Sequence, residues 1–300
     1  APDRGARTSR PDFSAGLIAL SLTQMLTIGM GRIKGAAQLH THGMDRFPEV
    51  LPELLPEAAR VVMGRLPFLF GVAAVENAHD DTALVERIPA ARLLAREPEL
   101  LAMAKDKMAR LYFDDIDVLV IDEMGKEISG TGFDPDVTGR NKRHVDWPGG
   151  PRIKKIAVLG LTERTHGNAT GTGSADVITM RLFRAIDVGP TYANAITPTF
   201  LDSVAIPVIM NTDREAAQLA VKTVLRVKPA DVRVVHIRNA LELQRIRVSA
   251  PLLAEVRRQP ERFEILSEPV PWVFGADGGL AKVESEALGQ RAFGPDFFPN

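Results

Sequence analysis

The chain has no cysteine among its 300 residues. Disulfides, thiolate nucleophiles and thiolate-bound metals are therefore excluded. A metal would have to be held by imidazole, carboxylate or a cofactor, and six histidines are the soft ligands on offer. An excess of positive charge is missing too. Lys and Arg (37) nearly balance Asp and Glu (38), which gives no electrostatic reason to expect a nucleic-acid partner. Long apolar runs are also lacking. The longest, residues 16–30, spans about 15 positions and includes Ser21, Thr23, Gln24 and Thr27, too short and too polar to cross a bilayer. No charged-then-apolar leader with a small-residue cleavage site precedes it, so no membrane partner and a cytoplasmic location are expected. Neither long glycine-containing loop ends in Gly-Lys-Ser or Gly-Lys-Thr, so there is no Walker-type phosphate loop.

What the sequence does contain is a soluble, globular composition, 45% hydrophobic and 25% charged, with room for one large domain or two ordinary ones. Its most informative stretch begins with the apolar run Val118 to Ile121, which stops abruptly at Asp122 and Glu123. A loop with four glycines, Lys126 and Arg140 follows. The pattern recurs where Ile156 to Leu161 runs into the polar, glycine-containing segment Thr162 to Gly173. In α/β proteins, buried strands deliver polar groups to a crevice at their carboxyl ends in this way. The two loops are expected to share one site.

Residues 16–30 read as a largely buried helix and Pro48 to Met63 as an amphipathic one. Phe68 to Val75 is apolar throughout and reads as an interior strand. Ala90 to Leu111 reads as a helix kinked or interrupted at Pro98. Ser174 and Asp176 suggest a cap for a helix reaching Ile186. The pattern weakens from Asp187 to Pro198, around Gly189 and Pro190. This marks an expected boundary between an amino-terminal lobe, 1–188, with its amino-terminal portion incomplete, and a carboxy-terminal lobe, 189–300. Beyond it lie a strand at 206–210, a capping box at Thr212-Asp-Arg-Glu215 opening a helix to about Arg226, and strands at 232–238 and 243–248. A Ser249-capped helix, the segment 263–266 and an Asp277-Gly-Gly279 turn complete the second lobe. The predicted class is α/β, two lobes with a site in the crevice between them.

Several motifs invite a function and decline it. Asp134-Pro-Asp136-Val-Thr138-Gly139 imitates the start of a calcium loop, but Val145 stands where the bidentate glutamate is needed. Gly29 to Gly35 has dinucleotide-like glycine spacing in the wrong context, after a helix rather than a strand. His40-Thr-His42-Gly43 would face one metal only from an extended or turning backbone, and a capped helix end is its alternative. For Asp122, Glu123, Lys126 and Arg140 the alternative to a site is a solvated structural loop. Charges at the end of a buried strand favour a site, because desolvating them needs a partner. His166 could act there as general base or ligand, and Asn168 could orient a substrate oxygen. Trp147 and Trp272 read as core or rim.

The segments Asp122 to Gly132, Leu161 to Thr170 and Pro207 to Glu215, in that order, resemble the lactate racemase-like family, in its broad branch. The likeness extends from about Pro11 to about Leu280. It implies two α/β domains with the active site between them, and a nickel-pincer nucleotide that takes hydride from the α-carbon of a 2-hydroxy acid and returns it to either face. A histidine accepts the hydroxyl proton in that scheme. The family pattern places a nickel-binding histidine sixteen residues after a cofactor-tethering lysine. Here His40 matches the histidine and Gln24 stands at the lysine position. Glutamine forms no thioamide, so the implied cofactor is noncovalent. The histidine that the family tends to carry near Pro11 to Phe13 has no counterpart.

The resemblance thus implies His166, Lys126 and Arg140 as catalytic residues. Gln24, Asp122, Glu123, Gly130, Gly132 and Asn168 become cofactor contacts, and His40 the metal ligand. The leading expectation is a racemase or epimerase of a small 2-hydroxy acid. The alternative is a noncatalytic module retaining a small carboxylate or nucleotide in a degenerate site. A third reading is a structural or subunit role, in which the chain supplies half a site to a partner carrying the amino-terminal portion; a homo-oligomer is the other assembly open to it.

Overall fold

The computed structural model describes residues 46–77, 82–147 and 149–284, with five isolated positions before them, 26, 34, 38, 41 and 42. Apart from position 26, the helix expected over 16–30 lies outside the described residues, as do Gln24 and His40.

The first described elements are helix α1 (Phe47–Arg65), with Pro52 and Pro56 inside it, and the antiparallel pair β1 (Phe70–Glu76) and β2 (Thr82–Pro89). The run expected as an interior strand is thus half of a two-stranded ribbon. Val75 is buried, but Phe70 and Val72 are exposed. An apolar run alone does not reveal how many of its faces are covered. Helix α2 (Leu93–Lys107) runs through Pro98 without a break. Its Leu93 and Leu100 join Val75 and Ile88 in a small cluster of their own.

The main sheet begins with β3 (Asp115–Ile121). A short helix α3 (Pro135–Thr138) and a small hairpin, β4 (Arg140–Lys142) and β5 (Val145–Asp146), lead to β6 (Arg152–Val158). Then come β7 (Val177–Thr179), α4 (Met180–Arg184), α5 (Val188–Ile196), β8 (Val208–Met210) and α6 (Asp213–Lys222). β9 (Val234–Ile237), β10 (Ile246–Val248) and α7 (Leu253–Arg257) follow. The six strands lie in the order β10-β9-β3-β6-β7-β8, all neighbours parallel except β10 with β9. The fold is α/β. From β3 at the centre the chain winds outward through β6, β7 and β8, then returns to place β9 on the other flank of β3.

Both faces of the sheet are covered, as a parallel sheet requires. Leu119, Ile121, Ile156, Val158 and Ile237 face one cluster with Leu182, Leu252 and Val256. The alternating set Val118, Val120, Ala157 and Val234 packs on Ala216 and Ala220 of α6. Among the described residues no helix is long and apolar enough to cross a membrane.

Several expectations need correction. The helix predicted from 174 to 186 is interrupted by β7, because Val177 to Thr179 pair with both β6 and β8, and Thr179 caps the short α4 instead. The weak segment 187–198 holds α5, whose first turn is capped by Asp187 Oδ1 accepting from Gly189 N. Strands on both sides of the expected 188/189 boundary belong to one sheet, so that position divides no pair of separate sheets. The capping box is present with one difference. Thr212 Oγ1 accepts from Glu215 N at 3.1 Å, while Glu215 reaches back to Asn211 N at 2.8 Å.

Candidate functional site: a cleft beside the central strand

β3 and β6 are in register, Ile121 opposite Val158, and the pairing continues past the strand ends as a bridge between Met124 and Leu161. The two polar loops therefore leave the sheet side by side. Glycine lets them touch. A Cβ on Gly132, whose φ is +89°, would lie 2.1 Å from Thr170 O, and one on Gly171 would lie 1.9 Å from Thr131 O. Lys126 N donates to Thr165 Oγ1 at 3.1 Å, tying the first loop to the second.

Above this junction lies a cleft of about 160 Å³. Its walls include Phe133, Pro135, Pro198 and Phe200, and its polar lining comes from Lys126, Thr131, Arg140, Asn141, Thr170, Asn194 and Ser203. Gly130 also lines it, with open space where a Cβ would be. The expectation that the two loops meet around one cavity holds, and it draws in α5 and the segment after it.

Lys126 is half-buried, and burial lowers its pKa below the ordinary lysine value. Its Nζ donates to Asn194 Oδ1. Asn194 Nδ2 donates to Pro190 O at 3.0 Å, which fixes the amide with its oxygen toward the lysine. Asn141 lines the same cleft, and its buried Nδ2 has no partner among the described residues. A buried donor without an acceptor costs free energy unless a ligand supplies one.

Arg140, the other cation expected to anchor a carboxylate, also lines the cleft and is already paired. Its Nη1 donates to Asp176 Oδ2 at 2.9 Å and to Ser174 O at 3.4 Å, and its Nη2 donates to Ile153 O. Burial lowers its pKa, with Asp176 opposing that shift. The guanidinium braces the hairpin β4–β5 against β6 and β7.

The remaining predicted residues are consumed by the protein or stand apart. Asp122 Oδ1 lies 2.7 Å from His236 Nε2, and its Oδ2 accepts from Val283 N at 2.6 Å, with both side chains at most 1% exposed. Glu123 accepts from Arg238 Nε and Lys282 Nζ, each at 2.7 Å. Burial works to raise the Glu123 pKa, but the two cations outweigh it and hold the carboxyl below its ordinary value. Asn168 Oδ1 accepts from Thr170 N at 3.2 Å and Thr170 Oγ1 at 2.8 Å, organising the second loop. His166 is exposed, ends a 3-10 turn at φ +50°, and is not among the residues lining the cleft.

The calcium-like motif has a structural role. Asp134 Oδ1 accepts from Asp136 N at 2.8 Å as the cap of α3, and Asp136 accepts from Trp147 Nε1 at 2.6 Å. Burial, reinforced by the nearby Asp136, pushes the Asp134 carboxyl up to about 7. No group of three or more His, Asp or Glu is placed to hold a metal ion among the described residues.

Asn141, Asn194 and Phe200 were not foreseen. The cap-like Asp187 ahead of Gly189 and Pro190 was the available signal for α5, and hence for Asn194. Comparison of the chain with known protein families, with curated proteins and with solved structures finds no match.

Proposed function

We propose that the cleft holds a small 2-hydroxy acid by its carboxylate, and that the chain serves a racemase or epimerase reaction of the lactate racemase-like kind in the cytoplasm. The observation that carries the carboxylate site is the meeting of Lys126 Nζ and the unpartnered Asn141 Nδ2 at one small cleft. An ammonium and an amide donor suit an anionic oxygen and its neighbour. These donors match a carboxylate or a cofactor phosphate rather than a metal cation, so nickel would fall to His40 and the rest of a noncovalent pincer nucleotide to the region of Gln24. Such a cofactor, when bound, accepts hydride from the α-carbon and returns it. Lys126 would orient the carboxylate, Asn141 would hold the hydroxyl or a carboxylate oxygen, and Phe133 and Phe200 would keep water from the apolar side.

A specific observation favours the noncatalytic alternative, in which the same cleft only binds the acid. The lining contains no histidine, aspartate or glutamate to act as base among the described residues. Native mass spectrometry of chain purified from cells that make the pincer cofactor separates the two readings. A mass increment for cofactor plus nickel, together with racemisation of lactate, supports the enzyme. Bare protein that binds lactate without racemising it supports the module. Protein that neither carries cofactor nor binds any 2-hydroxy acid removes both.

A further inference from the structure

This inference rests on the reading of the cleft as a carboxylate site and concerns which carboxylates it takes. Two cationic side chains line the cleft, and they differ in how their charge is balanced. Arg140 is paired where it stands with Asp176, side chains 5% and 8% exposed, and Lys155 Nζ lies 3.8 Å from the other oxygen of the same carboxylate. Lys126 has no carboxylate partner among the described residues, and its acceptor, Asn194 Oδ1, carries no net charge. Because Asn194 Nδ2 is committed to Pro190 O, α5 presents the lysine with a fixed dipole instead of a counter-ion. Of the two cations that line the cleft, Lys126 is therefore the one without a carboxylate partner among the described residues, and it stands beside apolar walls.

We infer that this site selects short monocarboxylates bearing a neutral polar group, and disfavours dicarboxylates and phosphate. Asn194 is the positioning residue that holds the ammonium in the cleft without neutralising it. A first carboxylate meets the ammonium, and the neutral hydroxyl meets Asn141 Nδ2. A second negative charge would be withdrawn from water with no second unpaired cation among the described lining residues to receive it, and that penalty exceeds what a small cavity can return. An aspartate at 194 would do the reverse, cancelling the lysine and leaving no net charge to recruit an anion.

The test is isothermal titration calorimetry on the full chain with four probes, lactate, 2-hydroxybutyrate, malate and inorganic phosphate, repeated with Asn194→Asp and Asn194→Ala. Lactate and 2-hydroxybutyrate are expected to bind, with malate and phosphate at least about tenfold weaker. Asn194→Asp is expected to abolish lactate binding, and Asn194→Ala to weaken it while keeping the monoanion preference. Malate binding as tightly as lactate, or Asn194→Asp binding lactate undiminished, overturns the inference and leaves the cleft a carboxylate site. Failure of all four probes on the unaltered chain overturns the carboxylate reading itself. If Asn194→Asp does not fold, the ranking of the four probes on the unaltered chain decides alone.

Discussion

The two flanks of β3 carry similar residues to opposite ends. On the β9 side, where the winding reverses and open α/β sheets commonly bind ligands, both carboxylates at the end of β3 are taken up by the protein, and among the described residues only His236 Nδ1 beside them lacks a partner. Asp122 is held by His236 and Val283, and Glu123 by Arg238 and Lys282. Residues 272–284 lie over this crevice, with Leu280 buried and the Trp272 ring edge-on to His236 at 5.7 Å. On the β6 side, Lys126 has a neutral acceptor, Asn141 Nδ2 has none among the described residues, and a cavity remains beside them. A charged residue after a buried strand marks a place where partners are required. Whether that place is a site depends on how many of those partners the protein supplies.

The largest effect that would break this contrast is on stability. Asp122→Ala leaves His236 Nε2 and Val283 N without their buried acceptor, and each such loss costs about 1–3 kcal/mol. Denaturant unfolding should show that loss, whereas Lys126→Met should stay within about 1 kcal/mol of the parent. Equal losses in the two variants would erase the division into a structural flank and a binding flank.

Asp134, next to Pro135 of the cleft lining, sharpens the comparison because it is a buried carboxyl with no cation paired to it among the described residues. Its folded pKa of about 7 lies above the ordinary 3.8, so the folded chain holds the proton more tightly than the unfolded one. The associated stability is fully present below the ordinary carboxylate pKa and is lost as pH rises toward about 7. Thermal unfolding across that window should decline by up to about 4 kcal/mol from this group. Asn retains the cap acceptor, so Asp134→Asn should flatten the profile, and an unchanged profile would assign the decline to other groups.

A smaller effect is expected in binding. Lys126→Met should weaken lactate about 30-fold or more. In the parent, affinity should be present while the amine is protonated and disappear as pH rises, beginning below the ordinary lysine range because burial lowers this pKa. Affinity that persists to the range of an exposed lysine would remove Lys126 as the anchor. The smallest effect belongs to His166→Ala, which should leave lactate affinity unchanged and stability within about 1 kcal/mol. Lost affinity would return that histidine to the site.

Much of this architecture was legible in the chain. The uninterrupted apolar runs of β3 and β6 announced strands buried on both faces, and the polar loops after them announced the cleft. Reading Asp122 and Glu123 as ligand-binding relied on the cost of desolvating a carboxylate, which was the right physics. It did not reveal that the partners lie more than a hundred residues away, on β9 and beyond. His236 is a lone histidine in an apolar strand and gives no local hint of its carboxylate. The partner of Arg140 was hidden for the same reason, since Asp176 reaches it only through the pairing of β6 with β7. Asn194 was hidden because Gly189 and Pro190 look like a break in the chain, when they sit in the first turn of a helix capped by Asp187.

Hydrogen–deuterium exchange of the full chain with and without lactate tests the central claim most directly, because it reads both flanks of β3 in one experiment. The account predicts slowed exchange in 124–133, 168–174 and 191–203, with 236–239 and 280–284 unchanged. Protection confined to 236–239 and 280–284 would place the ligand at the β3–β9 crevice and contradict it.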